Sequence, residues 1–186
     1  MRRARRTLLL VGAGVLALAA AGCAEPEPEP EPLSMTRAAE VYLAAVCPVN
    51  EAWDAADVEL DRLRLAATRE DANSTAAFAE AMSVVAERSG AAASSLASEE
   101  RAWPAEAEEP VAAVAETLAA DREQASRVAA LPAEDLVAYR WDGADDVGAT
   151  AAEARAALGL PDDAAEACAA WRASGEEAAE PEEDPQ

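Results

Sequence analysis

Carboxylates are the groups in this sequence with the widest scope for chemistry. The 186 residues include 37 Asp and Glu but no His, so the usual general base and metal ligand near neutral pH is missing. A pair of carboxylates could supply the acid and base of glycoside hydrolysis. With 37 acids on one small chain, close pairs also arise on the solvated faces of helices, and no constellation singles out one pair. We therefore predict no catalytic residue and no cofactor, and expect a protein that is not an enzyme.

A second acidic feature surrounds a glycine. Asp142, Asp145 and Asp146 flank Gly143 and could attract Ca²⁺. Their spacing does not match the EF-hand loop, which supplies its ligands from regular positions over about twelve residues. A turn followed by a helix start explains the same residues, and we predict no metal site.

Four tryptophans could bury apolar surface or contact a ligand. Trp53 and Trp171 fall on apolar helical stripes, which predicts core positions. Trp103 and Trp141 stand at helix boundaries, next to a proline and close to a glycine. Exposed, they could anchor a partner or stack on a sugar; buried, they would close the ends of a bundle. Both interpretations stay open, and these two residues are our candidate partner contacts.

The chain begins with a charged and then apolar segment. Four arginines within the first six residues precede an apolar run over residues 8–21 that ends in small side chains, the layout of a secretory signal. The stretch from Leu8 to Ala24, 17 residues long, reaches only the short limit of roughly 17–25 residues for crossing a bilayer. An uncleaved membrane anchor and an ordinary signal followed by an unrelated cysteine are the alternatives. Arg5-Arg6 also leaves a twin-arginine export route open.

The residues that follow resemble the lipobox of bacterial lipoproteins. They read Leu18-Ala19-Ala20-Ala21-Gly22-Cys23, with small residues before the cysteine. The resemblance implies cleavage between Gly22 and Cys23, a lipid on Cys23, and attachment to the extracytoplasmic face of the cell membrane. Glu-Pro repeats over residues 25–32 favour an extended polyproline conformation. They predict a linker that holds the domain about 25 Å from the membrane, at ~3.1 Å per residue.

Cys47 and Cys168 remain once Cys23 carries lipid. In an exported protein such a pair is normally a disulfide. A redox pair usually lies close in sequence, and a metal site would need further Cys or His. We therefore predict a structural disulfide between the first and last helices.

The net charge limits the partners. Removal of residues 1–22 takes four of the 15 basic residues and no acid, which leaves 11 basic and 37 acidic side chains and a net charge of −26. Such a chain would repel nucleic acid and anionic lipid headgroups. Its 23 Leu, Val and Phe among 164 residues also fall in the range that warns of disorder.

The helical periodicity of the apolar residues argues against disorder. From Met35 to Leu63 the apolar positions recur at alternating steps of four and three, which places them on one helical stripe. Pro48 interrupts this run and predicts a kink or a restart near Cys47. Two further stripes follow, one from Phe78 to Leu96 and one through Val111, Val114, Leu118, Ala125 and Val128.

The last third of the chain is divided more finely. A brief helix over residues 132–140 precedes a turn at residues 141–143. Thr150 and Glu153 have capping-box spacing or lie inside a helix that starts near Asp145. Gly159 is a helix stop, and a final helix runs from Asp163 to Gly175.

These elements predict an all-α fold, an antiparallel bundle of about four helices of which one or two are kinked or broken. One disulfide closes it. The organisation is a signal peptide over residues 1–22, a lipidated cysteine and linker over 23–33, a helical domain over 34–175, and a disordered acidic tail over 176–186.

Residues 41–50, which read VYLAAVCPVN, resemble the opening helix of small uncharacterised lipoproteins of high-GC Gram-positive bacteria. That resemblance implies a location at the cell membrane and a helical fold, but no activity. Two classes of function stay open. The first is a non-catalytic protein that binds an envelope partner through the bundle surface, marked by an exposed apolar patch at Trp103 or Trp141. The alternative is a small-molecule or cation binder with an interhelical pocket, marked by converging carboxylates and Arg.

Overall fold

The protein is all-helical over residues 30–69 and 74–179, the part of the chain that the computed structural model describes. Its helices are α1 (Met35–Thr68), α2 (Ala76–Leu96), α3 (Ala105–Val128), α4 (Ala133–Ala138), α5 (Ala144–Ala157) and α6 (Ala164–Ala179). In those ranges the one β-type pairing is an isolated bridge between Pro32 and Ala102. None of these helices combines the length and apolarity that a membrane span requires. The all-α prediction is confirmed, whereas Gly22, Cys23 and most of the linker lie outside the described residues.

The three long helices form the centre of the bundle. Their apolar stripes pack into two clusters, one at each end. In the first cluster the N-terminal halves of α1 and α3 contact the C-terminal end of α2, and in the second this relationship is reversed. Helix α2 is therefore antiparallel to α1 and α3.

The three shorter helices cover the sides of this core. Leu136 of α4 is fully buried in the second cluster, and Ala154 of α5 and Ala167 of α6 are buried in the first. Helix α5 starts beside the second cluster and ends in the first, so it runs antiparallel to α3, against which it packs. The fourth position of the predicted bundle is thus filled by a set of short helices.

A disulfide between Cys47 of α1 and Cys168 of α6 confirms the predicted bridge, with the two Cα atoms 5.6 Å apart. It closes a loop across a sequence separation of 121. In the chain-entropy model such a loop stabilises the folded state by about 5 kcal/mol. That is a large share of the net stability of an ordinary domain, typically about 5–15 kcal/mol.

Helix α1 does not restart at Pro48, which lies inside an uninterrupted helix of 34 residues. Proline leaves one carbonyl of the preceding turn without its usual partner. Cys47 and Val49 on either side of it are both buried in the core. Packing of the flanking turns therefore keeps the helix continuous, so of the two predicted outcomes, a kink or a restart, the restart is wrong.

The ends of α5 follow local chemistry. It begins after Gly143, whose φ of 78° is the left-handed conformation that glycine adopts readily. Thr150 lies inside the helix and donates its hydroxyl to the Asp146 carbonyl oxygen at 2.9 Å, so the second of our two interpretations of Thr150 is confirmed. Gly159, at φ 66°, ends this segment as predicted.

Helix α6 starts as predicted but ends later. The Asp163 carboxylate accepts the backbone N–H of Glu166 at 2.8 Å, which is an N-cap. The helix then passes Gly175 and continues to Ala179, so the predicted end at residue 175 is wrong. Residues 180–186 of the predicted tail lie outside the described residues.

Candidate functional site

A cavity of about 280 Å³ lies between α1, α3, α5 and α6. We call it the slot. Its walls are mostly aliphatic and include Leu43, Val46, Val49, Val114, Leu118 and Val147. Its volume is just below the range of about 300–1,000 Å³ that is typical of small-molecule sites. The slot is a sheltered apolar space with a few polar groups at defined places.

Asp121 of α3 is the principal polar group of the slot. Its residue is 4 % exposed, and it is the one buried acid in the described part of the chain. The Trp141 indole Nε1 donates to its Oδ1 at 3.2 Å. Within residues 30–69 and 74–179 this carboxylate receives no other hydrogen bond and forms no ion pair. A carboxyl group that faces the slot is thus held by a single donor.

Burial sets the electrostatics of this group. It raises the pKa of the Asp121 carboxyl above its ordinary value, because the charged form loses solvation, and the hydrogen bond from Trp141 opposes the shift. The ionised form of Asp121 is therefore less favourable than that of an exposed aspartate. A cation or a further hydrogen-bond donor in the slot would reduce that cost.

Two tryptophans form the wall beside Asp121. The rings of Trp53 and Trp141 meet edge to face, with centroids 4.4 Å apart and planes at 84°. Tyr139 packs on Trp141 with centroids 6.3 Å apart, and its hydroxyl accepts a hydrogen bond from Gln124 Nε2 at 2.8 Å. These contacts fix the orientation of the indole that holds Asp121.

The opposite end of the slot is formed by Arg155 and Tyr42. Arg155 donates from Nε and Nη2 to the Asp162 carbonyl oxygen at 3.0 and 2.8 Å. Burial raises the pKa of the Tyr42 hydroxyl, and the nearby guanidinium opposes that shift. Gly148 and Arg155 of α5 both line the slot. They are seven residues apart, which is about 10 Å along the helix axis. One end of the slot therefore offers a carboxyl group and the other a guanidinium.

The disulfide forms part of the wall from α6. Cys168 lines the slot, and its Sγ accepts a hydrogen bond from Asn50 Nδ2 at 3.7 Å. The bridge joins α6 to α1, together with the buried Ala167 and the ion pair of Arg172 with Glu51, and so helps to hold this wall in place.

On the other side of the tryptophan pair lies a wider and more open cavity of about 710 Å³, the outer cleft. Asp145, Asp146 and Asp57 stand on its border with Arg64 and Arg140. Burial is the first cause that raises the pKa of Asp57, followed by the negative charges of neighbouring aspartates. Across the described residues no group of three or more Cys, Asp or Glu side chains could hold a metal ion.

The structure places both candidate contact residues against the bundle. Trp103 is half-buried beside the first cluster, and its Nε1 donates to the Leu96 carbonyl oxygen at 3.1 Å. Trp141 is half-buried and bonded to Asp121. Trp53 and Trp171, predicted to be core, are also half-buried, at the margin of the clusters. Among the four tryptophans, Trp53 and Trp141 meet each other beside Asp121, and of these two Trp53 lines the slot.

Asp121 was missed by sequence reasoning. It lies on the α3 stripe, three residues after Leu118 and four before Ala125, a position that an apolar residue normally fills. The acid at a stripe position was the available signal. It was hidden among 37 carboxylates.

Comparison with known proteins adds no identity. No protein family, curated protein or solved structure gives a match to this chain. The functional argument therefore depends on the slot.

Proposed function

We propose that this chain is a membrane-anchored extracytoplasmic lipoprotein that binds a small molecule in the slot and has no catalytic activity. One observation carries the binding proposal: Asp121 is buried, faces an apolar cavity and receives one hydrogen bond from the described protein. A carboxyl group that faces a cavity and receives a single hydrogen bond from the protein is a typical feature of a ligand site.

The alternative is a partner-binding surface built on Trp103 and Trp141. It requires their rings to form an exposed apolar patch. Both indoles are half-buried and donate to the protein's own acceptors. The slot therefore has better support than the tryptophan surface.

Attachment to the membrane is part of the proposal and has its own test. Arg-rich and apolar residues precede a lipobox-like segment that ends at Cys23, which supports cleavage and lipidation. Intact-mass measurement of membrane-extracted protein should give residues 23–186 plus a diacylglyceryl or triacylglyceryl group. A mass that retains Met1 without added lipid would reject the anchor.

Binding is tested by thermal unfolding of the purified chain with three probes of equal length: hexanol, hexylammonium and hexanoate. At least one should raise the unfolding temperature in a concentration-dependent way. Ala151 lines the slot and Ala152, next to it on α5, is exposed. Ala151→Leu should abolish the effect by filling the cavity, and the matched Ala152→Leu should preserve it. If none of the probes binds the wild-type protein, the slot is not a ligand site and the proposal is wrong.

A further inference from the structure

We infer that the slot selects a small organic cation, an amine with an apolar body whose ammonium group pairs with Asp121. This inference rests on the proposed function and specifies the ligand class. It follows from the charges at the two ends of the slot, the aromatic wall beside the acid, and the charge of the chain as a whole.

The first step concerns the unpaired acid. Asp121 is 4 % exposed, and none of the ion pairs of the described residues includes it. An ionised carboxylate that is buried without a counter-charge is costly. An ammonium group in the slot would supply the counter-charge and several N–H donors. A neutral alcohol would supply one donor and no charge, and an anion would be repelled.

The second step concerns the rings beside the acid. Trp53 lines the slot together with Asp121, and Trp141, which lines the outer cleft, donates its Nε1–H to the carboxylate. A cation near the face of an indole is attracted by the ring quadrupole, by roughly 0.5–2 kcal/mol depending on solvation. The Trp53 indole in the same cavity as the carboxylate thus favours an ammonium head over a neutral one.

The third step concerns the remainder of the slot. Aliphatic side chains such as Val46, Val114 and Leu118 line its length, and Arg155 lies at the far end. The ligand body is therefore apolar, and its far end carries no second positive charge. The volume of about 280 Å³ limits the ligand to a small molecule.

The net charge of the chain affects which ligands reach the slot. The full sequence carries a net charge of −22, and such a field raises the local concentration of cations and excludes anions. This long-range attraction is not selective, and it is weakened at physiological salt, where the screening length is about 8 Å. Selectivity has to come from Asp121 and the slot.

The experiment measures binding of hexylammonium, hexanol and hexanoate to the purified full chain by calorimetry, in about 0.15 M salt. We expect hexylammonium to bind at least about tenfold more tightly than hexanol, a difference of about 1.4 kcal/mol, and hexanoate not to bind. Asp121→Asn keeps an oxygen acceptor for Trp141 and should remove this preference. Glu116→Gln, which removes an exposed charge from the same helix, should leave it intact.

The outcomes separate the two proposals. Binding of hexanol or hexanoate that is as tight as that of hexylammonium, or tighter, would overturn the cation inference and leave a slot for neutral or anionic ligands. A preference for hexylammonium that persists in Asp121→Asn, or that disappears in Glu116→Gln, would show attraction by net charge and would also overturn it. Failure of all three probes would reject the ligand site itself.

Discussion

The indole Nε1 of Trp141 donates to Asp121 Oδ1 across 3.2 Å and so ties the α4–α5 connection to the middle of α3. The same indole meets Trp53 of α1 edge to face. Three parts of the chain that are distant in sequence therefore meet at one buried carboxyl group.

Replacement of Trp141 by Phe should preserve the ring contact and remove the donor. We expect a loss of about 1–3 kcal/mol in unfolding free energy, because a buried acceptor is left unsatisfied. The loss should be greatest where Asp121 is ionised, since the hydrogen bond opposes the rise of its pKa. Urea unfolding at several pH values measures both effects. Trp103→Phe is the matched control, because its acceptor is the Leu96 carbonyl and does not titrate; equal pH dependence in the two variants would contradict the prediction.

The raised pKa of Asp121 has a defined effect on stability. Between the ordinary Asp pKa, about 4, and the higher folded value, the native state binds more protons than the unfolded state. The unfolding free energy therefore falls as pH rises through this window. Below the window Asp121 is protonated in both states, and this destabilisation is absent. Asp121→Asn should raise the unfolding free energy at pH 7 and have little effect near pH 3. Thermal or urea unfolding of this variant against Glu116→Gln tests the sign, and destabilisation of Asp121→Asn at neutral pH would reject it.

Removal of the disulfide should weaken both the fold and the slot. The variant Cys47→Ala with Cys168→Ala loses the constraint on a loop of 121 residues, worth about 5 kcal/mol in the chain-entropy model. Because Cys168 also lines the slot, probe binding should weaken too. Wild-type protein under reducing conditions is the matched comparison. Full stability after reduction would mean that α6 is held by its packing alone.

Gly90 offers a test of close packing between α2 and α3. A Cβ added there would lie 2.9 Å from Cδ of Arg122, whose side chain is exposed and free to move aside. Alanine should gain up to about 1 kcal/mol of helix propensity over glycine and lose part of it to that displacement. We expect a net gain of about 0.5 kcal/mol for Gly90→Ala, and the full gain in an Arg122→Ala background. A double-mutant cycle of unfolding free energies decides it, and additivity of the two changes would contradict the contact.

Arg155 predicts discrimination against dications. A diamine of the same length as hexylammonium would place its second charge beside the guanidinium at the far end of the slot. Binding of the diamine should therefore be weaker by about tenfold or more. Arg155→Gln should reduce this difference in calorimetric titrations. Tighter binding of the diamine to the wild-type protein would argue that Arg155 is turned away from the ligand.

The fold was largely predictable because its signals are local. Stripes with a period near 3.6 residues located the three long helices, and Gly159 and Asp163 marked helix ends through backbone and capping chemistry. The continuity of α1 across Pro48 was not predictable, because it depends on packing against neighbouring helices. Contacts between helices cannot be recognised from the residue type at any single position of the sequence.

The site was much less predictable. Asp121 is one acid among 37, and its burial depends on α5 and Trp141 closing over a stripe position of α3. The pairing of Asp121 with Trp141 spans 20 residues and is set by the turn between α4 and α5. Charge counting predicted that most acids lie on solvated helix faces and did not single out Asp121, because the sequence does not display which acids face inward.

The bridge between Cys47 and Cys168 also determines how the protein would withstand proteolysis. Helices α2 to α5 all lie between the two cysteines in sequence. A single cut at any peptide bond in that interval leaves two fragments that are still one covalent molecule. A lipid on Cys23 would then retain the fragment that carries α6 as well as its own, so a nicked protein would stay at the membrane until the sulfur–sulfur bond is reduced.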